Sequence, residues 1–393
     1  MLLRLAAITL IFACTSIAWM ILGGTIAWRT DESSGRLRGS VTSLWGAPHA
    51  QKAPFAESGM FSAAPDASDI RATVNLEYRQ KGLLWFSTYR VAFQGDYEFR
   101  NPDPKSTSFR VVLPLPATQA VYDDLQFLVD GQPATGTTQK DHVFVTVNAP
   151  PGQVVKVRAA YRSQGMESWR YQFGSDVTAV SNFHLQLTTD FKDIDFPDNT
   201  LAPSEKRETP GGWQLDWQYR NLLSGYEVAL AMPEKIQPGP LAAEISYFAP
   251  VSLLFFFFLM FVITTRREID LHPMNYFFLA GAFFAFHLLL AYLVDHINLY
   301  LAFAVSAAVS VALVVSYLRI VVGPRFAVRE AGLIQLVYLV LFSYAFFFRG
   351  FTGLAITIGS VLTLFVVMQM TARIRWSEKF QRNLSVTLPA GPS

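Results

Sequence analysis

His287 is the side chain whose type and setting most invite chemistry. It falls in the middle of a long apolar run. An ionisable group at membrane depth serves either a proton path or a hydrogen bond between helices. Imidazole can stay neutral, and no acidic residue falls at similar depth in the other apolar runs. The sequence therefore favours structural glue, with Gln335 as a candidate partner. Asp295 and His296 close the same run. Such a pair can cap a helix, pair with Arg349, touch a neighbouring domain, or titrate near neutrality. A second cluster, Asp190, Asp193, Asp195 and Asp198 followed by Asn199, has the oxygen density of a calcium site. It lacks the spacing and the glycine of an EF-hand loop, so a solvated turn is the preferred reading. No P-loop, dinucleotide-binding, GxSxG, HExxH or paired CxxC motif occurs. The expectation is no enzyme, no cofactor and no resident metal.

The elements that position these residues are apolar spans. Leu271 to His296 reads LHPMNYFFLAGAFFAFHLLLAYLVDH, and its apolar stretch of about 20 residues crosses a bilayer core of about 30 Å. Pro273 suits a first helical turn, where its missing N–H costs little. Five such runs follow residue 244: Ile245–Thr265, Asn275–Val294, Ile297–Leu318, Glu330–Phe348 and Thr352–Thr371. Their short connections imply antiparallel hairpins. An earlier run, Leu5–Trp28, lies between Arg4 and Arg29. Ile11-Phe12-Ala13-Cys14 loosely resembles a lipoprotein cleavage box, but the apolar run continues past Cys14. An uncleaved anchor is preferred over a cleaved signal peptide. Cys14 is then a small residue of the helix core, and Gly23-Gly24 would let another span of the same chain approach closely.

Arg266 and Arg267 follow the second span. Arg319, Arg325 and Arg329 lie between the fourth and fifth, and Arg373, Arg375, Lys379 and Arg382 follow the sixth. Positive charge on the cytoplasmic side then predicts six spans with both ends inside and residues 29–244 extracytoplasmic. Charged residues make up 16% of the 393, and the net charge of +2 comes without a Lys/Arg stripe, so nucleic-acid binding is not expected. The single cysteine rules out a disulfide framework in the exported part.

Residues 29–69 are rich in Ser, Ala, Gly and Pro and read as a flexible lead-in. Within them Val41–Gly46 (VTSLWG) is more apolar, and Trp45 suits either packing or the membrane surface. From Ile70 the period becomes two. Val155, Val157, Ala159 and Tyr161 alternate with polar neighbours. So do Phe183, Leu185 and Leu187, and Trp213, Leu215, Trp217 and Tyr219. Turn signals at Asn101-Pro102, Asp130-Gly131, Pro150-Pro151-Gly152 and Gly211-Gly212 separate short antiparallel strands of an all-β sandwich-like domain. The expected organisation is an anchor (1–28), the lead-in (29–69), a β domain (70–240), a five-helix bundle (245–372) and a cytoplasmic tail (373–393).

Leu271-His272-Pro273-Met274-Asn275-Tyr276, then Ala285 to Ile297 (AFHLLLAYLVDHI), resembles the CreD family of bacterial inner-membrane proteins. Ser43-Leu44-Trp45-Gly46 looks like that family's segment after its first span. The family's aromatic residue is replaced by His287. FRVVLPLP (Phe109 to Pro116) with YDDLQFLVDG (Tyr122 to Gly131) looks like the β-sandwich module of the vault and inter-α-trypsin type.

The CreD resemblance implies an envelope-integrity or stress-response protein of the inner membrane, linked to colicin tolerance. It would be surrounded by lipid, with a periplasmic β domain that binds another envelope protein or a cell-wall component. It implies no catalytic residues. Leu271, His272, Pro273, Tyr276, Asp295 and His296, with His287 from its mid-span position, are the candidates for a structural or coupling role. The alternatives are a small ion-coupled transporter and a membrane stress sensor.

Overall fold

The computed structural model describes residues 2–82, 84–118, 120–174, 178–348 and 350–372. Arg349 and the tail 373–393 lie outside the described residues, so the proposed Arg349 partner and the tail's arginines cannot be placed. The chain forms two compact units, Met1–Ser33 with Ile236–Ser393, and Ser34–Lys235.

The first unit is helical. Helix α1 (Leu2–Trp45) runs through its boundary, and residues to Ser33 belong here. Helices α2 (Pro238–Arg266), α3 (Pro273–Leu293), α4 (Leu299–Val321), α5 (Pro324–Phe347) and α6 (Thr352–Thr371) follow. Each of the six is long and apolar enough to cross a membrane. Prolines open α2, α3 and α5, where a missing N–H leaves no bond unmade. The Asn298 side chain caps α4 by accepting the Tyr300 amide at 2.9 Å, so the cap falls to Asn298 and not to Asp295 or His296. Helix α5 is irregular, with π-helical turns at Ala327–Gly332 and Leu336–Leu341. Side chains on neighbouring helices bond to α5 around these wider turns. Ser252 of α2 donates to the Tyr338 carbonyl, and Tyr338 Oη lies 2.7 Å from Thr363 Oγ1 of α6. Trp19, Tyr276, Phe256 and Phe283 are fully buried among the helices, whereas Phe278, Leu301 and Leu362 point outward. Apolar residues face both ways because lipid is as apolar as the interior.

The second unit is built on strands. They begin with β1 (His49–Lys52), β2 (Phe55–Ser58), β3 (Phe61–Ala63), β4 (Ala67–Lys81), β5 (Leu84–Arg100) and β6 (Ser108–Pro114). Next are β7 (Tyr122–Val129), β8 (Gln132–Ala134), β9 (Thr137–Gln139), β10 (His142–Asn148) and β11 (Val154–Met166). The last are β12 (Ser168–Gln172), β13 (Thr178–Thr189), β14 (Glu205–Glu208), β15 (Trp213–Ser224) and β16 (Val228–Ala231). An eight-stranded sheet has the order β14-β15-β13-β4-β5-β11-β7-β8, a five-stranded sheet β3-β2-β6-β10-β9, and a three-stranded sheet β1-β12-β16. Residues of all three contribute to one core, including Phe93, Tyr161, Trp217, Val145 and Trp169. The alternation expected in β11 and β13 is present, with Val155, Val157, Phe183, Leu185 and Leu187 buried. Asp130 (φ 46°) and Gly131 (φ 80°) make the two-residue turn between β7 and β8, as Asp-Gly predicts. Most pairings are antiparallel, as the alternation implies, and two, β1 with β12 and β4 with β13, are parallel.

Residues 29–69 differ most from expectation. They hold the end of α1, then β1, β2, β3 and the start of β4, instead of a flexible lead-in. Val41 is fully buried against Leu84, Phe86 and Met166, with Leu37 and Trp45 alongside. Polar composition hid this segment because only one face of the helix end is apolar. Gly46 stops the helix at φ 95°, its amide bonding the Thr42 carbonyl at 3.0 Å. A Cβ there would come within 2.2 Å of the Gln164 carbonyl, so chain reversal and close packing both require glycine. At the other boundary α2 starts at Pro238, inside the expected β domain.

Candidate functional site

In the helical unit two of the candidate residues, His287 and Asp295, contact α1, and the others sit at the ends of α3 or against its neighbours. His272 is the N-cap of α3, its Nδ1 accepting the Met274 amide at 3.2 Å, and Pro273 takes the first turn. Leu271 and Tyr276 are fully buried, and the Tyr276 ring meets Phe257 edge-on at 5.2 Å. Asn275 of the same motif accepts the Tyr317 hydroxyl of α4 at 2.7 Å. Asp295 pairs with Arg29 of α1 at 2.6 Å, and Tyr292 lies under the same guanidinium at 5.6 Å. At the other end Arg4 of α1 pairs with Asp270 at 3.2 Å. Both pairs span 266 positions of sequence, so α1 and α3 run parallel and in register. His296 is exposed in the turn beyond α3.

His287 sits between these two ion pairs and is 1% exposed. Its Nδ1 is 3.0 Å from the Phe283 carbonyl one turn back, and its ring meets Trp19 of α1 edge-on at 5.3 Å. With Nδ1 donating, Nε2 carries a lone pair. Trp19 Nε1–H is a buried donor, and among the described residues neither it nor His287 Nε2 makes a hydrogen bond. Gln335, the expected partner, bonds elsewhere. Its Nε2 donates to Ser310 at 2.9 Å, and Ser310 donates to the Ala282 carbonyl at 2.6 Å. Gly23 lies against the Tyr247 ring of α2, where a Cβ would be 3.1 Å away, so α1 also packs closely on α2. Cys14 is exposed on α1 and is not a core residue. Sequence reasoning treated Arg4 and Arg29 only as flanks and passed over Trp19. The signal that could have found the arginines is the equal spacing of Arg4/Arg29 and Asp270/Asp295.

In the β unit the outward face of the eight-stranded sheet carries rows of charge. Asp69, Asp96 and Arg158 come from adjacent strands, as do Glu98 and Lys156. Arg158 donates to Asp96 at 2.5 Å, which raises the guanidinium's pKa, and Lys156 pairs with Glu98 at 3.3 Å. His184 Nδ1 is 2.7 Å from Asp69, and its Nε2 is 3.5 Å from Asp216. Burial pushes the Asp216 carboxyl up, but hydrogen bonds from Gln186, Gln214 and His184 outweigh it, leaving its pKa below the usual value. Asp69, Asp96, Glu98, Lys156, Arg158 and His184 line a hollow of about 1000 Å³ that Gln218 also edges.

Beneath the same sheet His49 is fully buried, and burial lowers its pKa to about 4. His49 lay in the expected lead-in and carried no sequence signal. Of the acidic cluster, Asp190 accepts the Leu76 amide at 2.8 Å and Asp195 that of Phe196 at 2.9 Å. Among the described residues no group of three or more His, Cys, Asp or Glu side chains is placed to hold a metal.

The family model described as inner membrane protein CreD matches residues 49–377. The chain belongs to the CreD family. This CreD-family chain is a multi-pass inner-membrane protein, and the match takes in the β unit together with α2 to α6. No curated protein matches it in sequence. A Legionella pneumophila structure described as that of a nutrient binding protein is 11% identical with TM-score 0.32, over 54% of this chain and 76% of the other. An M1 zinc metallopeptidase from Deinococcus radiodurans is 14% identical with TM-score 0.28, over 42% of each. An aminopeptidase N family protein from Idiomarina loihiensis is 9% identical with TM-score 0.22, over 48% of this chain and 36% of that one. Likeness at these scores carries no argument about this CreD-family chain.

Proposed function

We propose that this chain maintains the cell envelope by binding, with no chemistry of its own. Its β unit faces the extracytoplasmic side and engages another envelope protein or a cell-wall component. The supporting observation is the outward face of the eight-stranded sheet. Its hollow of about 1000 Å³ is open and ringed by charged side chains, and these charges pair mainly with one another. Such a face offers a partner many donors and acceptors with little net field. The positions of Arg266, Arg267, Arg319, Arg325 and Arg329 support the orientation, as does the parallel run of α1 and α3 with one span between them.

The test is photo-crosslinking in intact cells. A photo-reactive residue at Gln218 or Asn182, both edging the hollow, is compared with one at Glu205 on the sheet's edge strand. Capture of the same envelope species from both hollow positions but not from Glu205 supports the reading. Clean negatives at both positions, with the protein folded, would sink it and turn attention to Asp295 and His287.

A further inference from the structure

The outward face has a second, smaller hollow of about 410 Å³, built where β5 and β11 pair beside the start of β7. Arg90 of β5 stands opposite Gln164 of β11 and, on its other side, opposite Asn75 of β4. Asp123 of β7 stands opposite Arg162 of β11. The β7–β11 register shifts between Ala160 and Arg162, and Asp124 takes φ 53°, which opens the sheet there. Ala92 and Val121, both exposed, give the hollow an apolar part, while Val91 beside them turns its side chain into the core. Ser163, also lining it, donates to the Val121 carbonyl at 2.8 Å and lies 3.4 Å from the buried His49 Nε2, which fixes this wall.

The electrostatics differ from those of the larger hollow. Arg90 donates to Glu77 at 2.9 Å, but Arg79 shares that carboxylate at 2.6 Å, so two guanidinium groups divide one partner. Arg162 makes a single 3.2 Å contact to Asp124. A guanidinium has five N–H donors, so both Arg90 and Arg162 keep donors to spare. Among the described residues Asp123 makes no ion pair, and its carboxylate accepts the Asp124 amide at 3.0 Å. The hollow therefore presents spare cationic donors, a spare anionic acceptor and an apolar patch. A simple anion meets Asp123, a simple cation meets the arginines, and a species with both charges is complementary to all three.

We propose that this hollow binds a small zwitterion bearing a carboxylate and an ammonium group, an amino acid or a dipeptide. The carboxylate lies toward Arg90 and Arg162, the ammonium toward Asp123, and an aliphatic side chain on Ala92 and Val121. Its size is at the lower end of the range of about 300–1,000 Å³ typical of small-ligand clefts. Both guanidinium groups are more than half exposed, so water screens them and binding is weak, near the millimolar end.

The test is calorimetric titration of L-alanyl-L-alanine into the full chain in lipid nanodiscs. N-acetyl-alanyl-alanine lacks the ammonium, and alanyl-alanine amide lacks the carboxylate. The expected result is saturable dipeptide binding that weakens at least tenfold when either charge of the ligand is removed. D123N should weaken the dipeptide but have no further effect on the acetylated form, and R162Q should show the same relation to the amide. Gln218→Ala, at the larger hollow, should leave the titration unchanged. No saturable heat from folded wild-type protein, or equal binding of all three compounds, overturns the proposal. Because Gln218 edges only the larger hollow, its crosslinks fail or succeed independently of this titration.

Discussion

The β unit and the helical unit solve the same problem, fixing one arrangement of chain, with different forces. In the β unit water drives burial, and large side chains such as Trp217, Tyr161 and Trp169 fill a shared core. In the helical unit the surroundings are as apolar as the interior, so burial of Phe or Leu hardly distinguishes one packing from another. What discriminates there is polar. Arg4–Asp270 and Arg29–Asp295 set α1 against α3, and the Gln335–Ser310–Ala282 chain ties α5, α4 and α3. The difference teaches where to look for specificity: in volume on one side and in a few hydrogen bonds on the other.

Four experiments can break or sharpen this contrast, taken from the largest expected effect. Trp217 is fully buried and donates to the Leu201 carbonyl at 2.8 Å. Trp217→Ala should destabilise the β unit by about 3–5 kcal/mol, measured by denaturant unfolding followed by fluorescence. A cost below about 1 kcal/mol would mean the core is not what holds this unit.

His49 gives the next effect. Its folded-state pKa is lowered from 6.5 to about 4 by burial. On acidification the unfolded chain takes up its proton near pH 6.5, the folded chain only near pH 4. Stability from this group is complete above pH 6.5 and is lost as pH falls to 4, by about 3 kcal/mol in total. His49→Gln should flatten that slope in unfolding series between pH 7 and 4. An unchanged slope would show that other groups cause it.

Breaking the Arg29–Asp295 pair by Asp295→Ala should cost about 1–2 kcal/mol of helical-unit stability, since the pair is short but partly solvated. Exchanging the two residues (Arg29→Asp with Asp295→Arg) should restore most of it in thermal unfolding in detergent. Failure of the exchange to do better than the single change would remove the ion pair as the cause. Gln335→Leu should have the smallest effect, about 0.6–2 kcal/mol, as for hydrogen bonds between membrane helices. A stabilising Gln335→Leu would show that this bond serves something other than packing.

The spans were legible because about 20 apolar residues between polar ends have few other uses. The first turn at Pro273 and the Asp130-Gly131 hairpin followed from local chemistry alone. The end of α1 was not legible, because Ser, Gly and Arg outnumber the apolar residues between Trp28 and Val41. Only contact with Leu84, Phe86 and Met166 explains the helix there. The motif residues were visible as a set, but their partners were not. Asp295 finds Arg29 across 266 positions, and no local rule connects them. His287 was singled out for its depth, yet its neighbour Trp19 resembles any other aromatic in an apolar run. The outward face of the sheet was hardest to foresee, since its charges look like ordinary solvated alternation until strand order sets Asp69, Asp96 and Arg158 side by side.

The paired registry of α1 and α3 has a consequence for bilayer thickness. Arg4 and Arg29 are about seven turns apart, about 37 Å along a straight helix, against a hydrocarbon core of about 30 Å. The two ion pairs thus act as the jaws of a calliper whose opening is set by covalent geometry and cannot be adjusted by sliding one helix. A bilayer thicker than the gap would draw one jaw into hydrocarbon, and a thinner one would leave apolar turns in water. A change in bilayer thickness must then be met by tilting α1 and α3 together, since neither can slide along the other without breaking an ion pair.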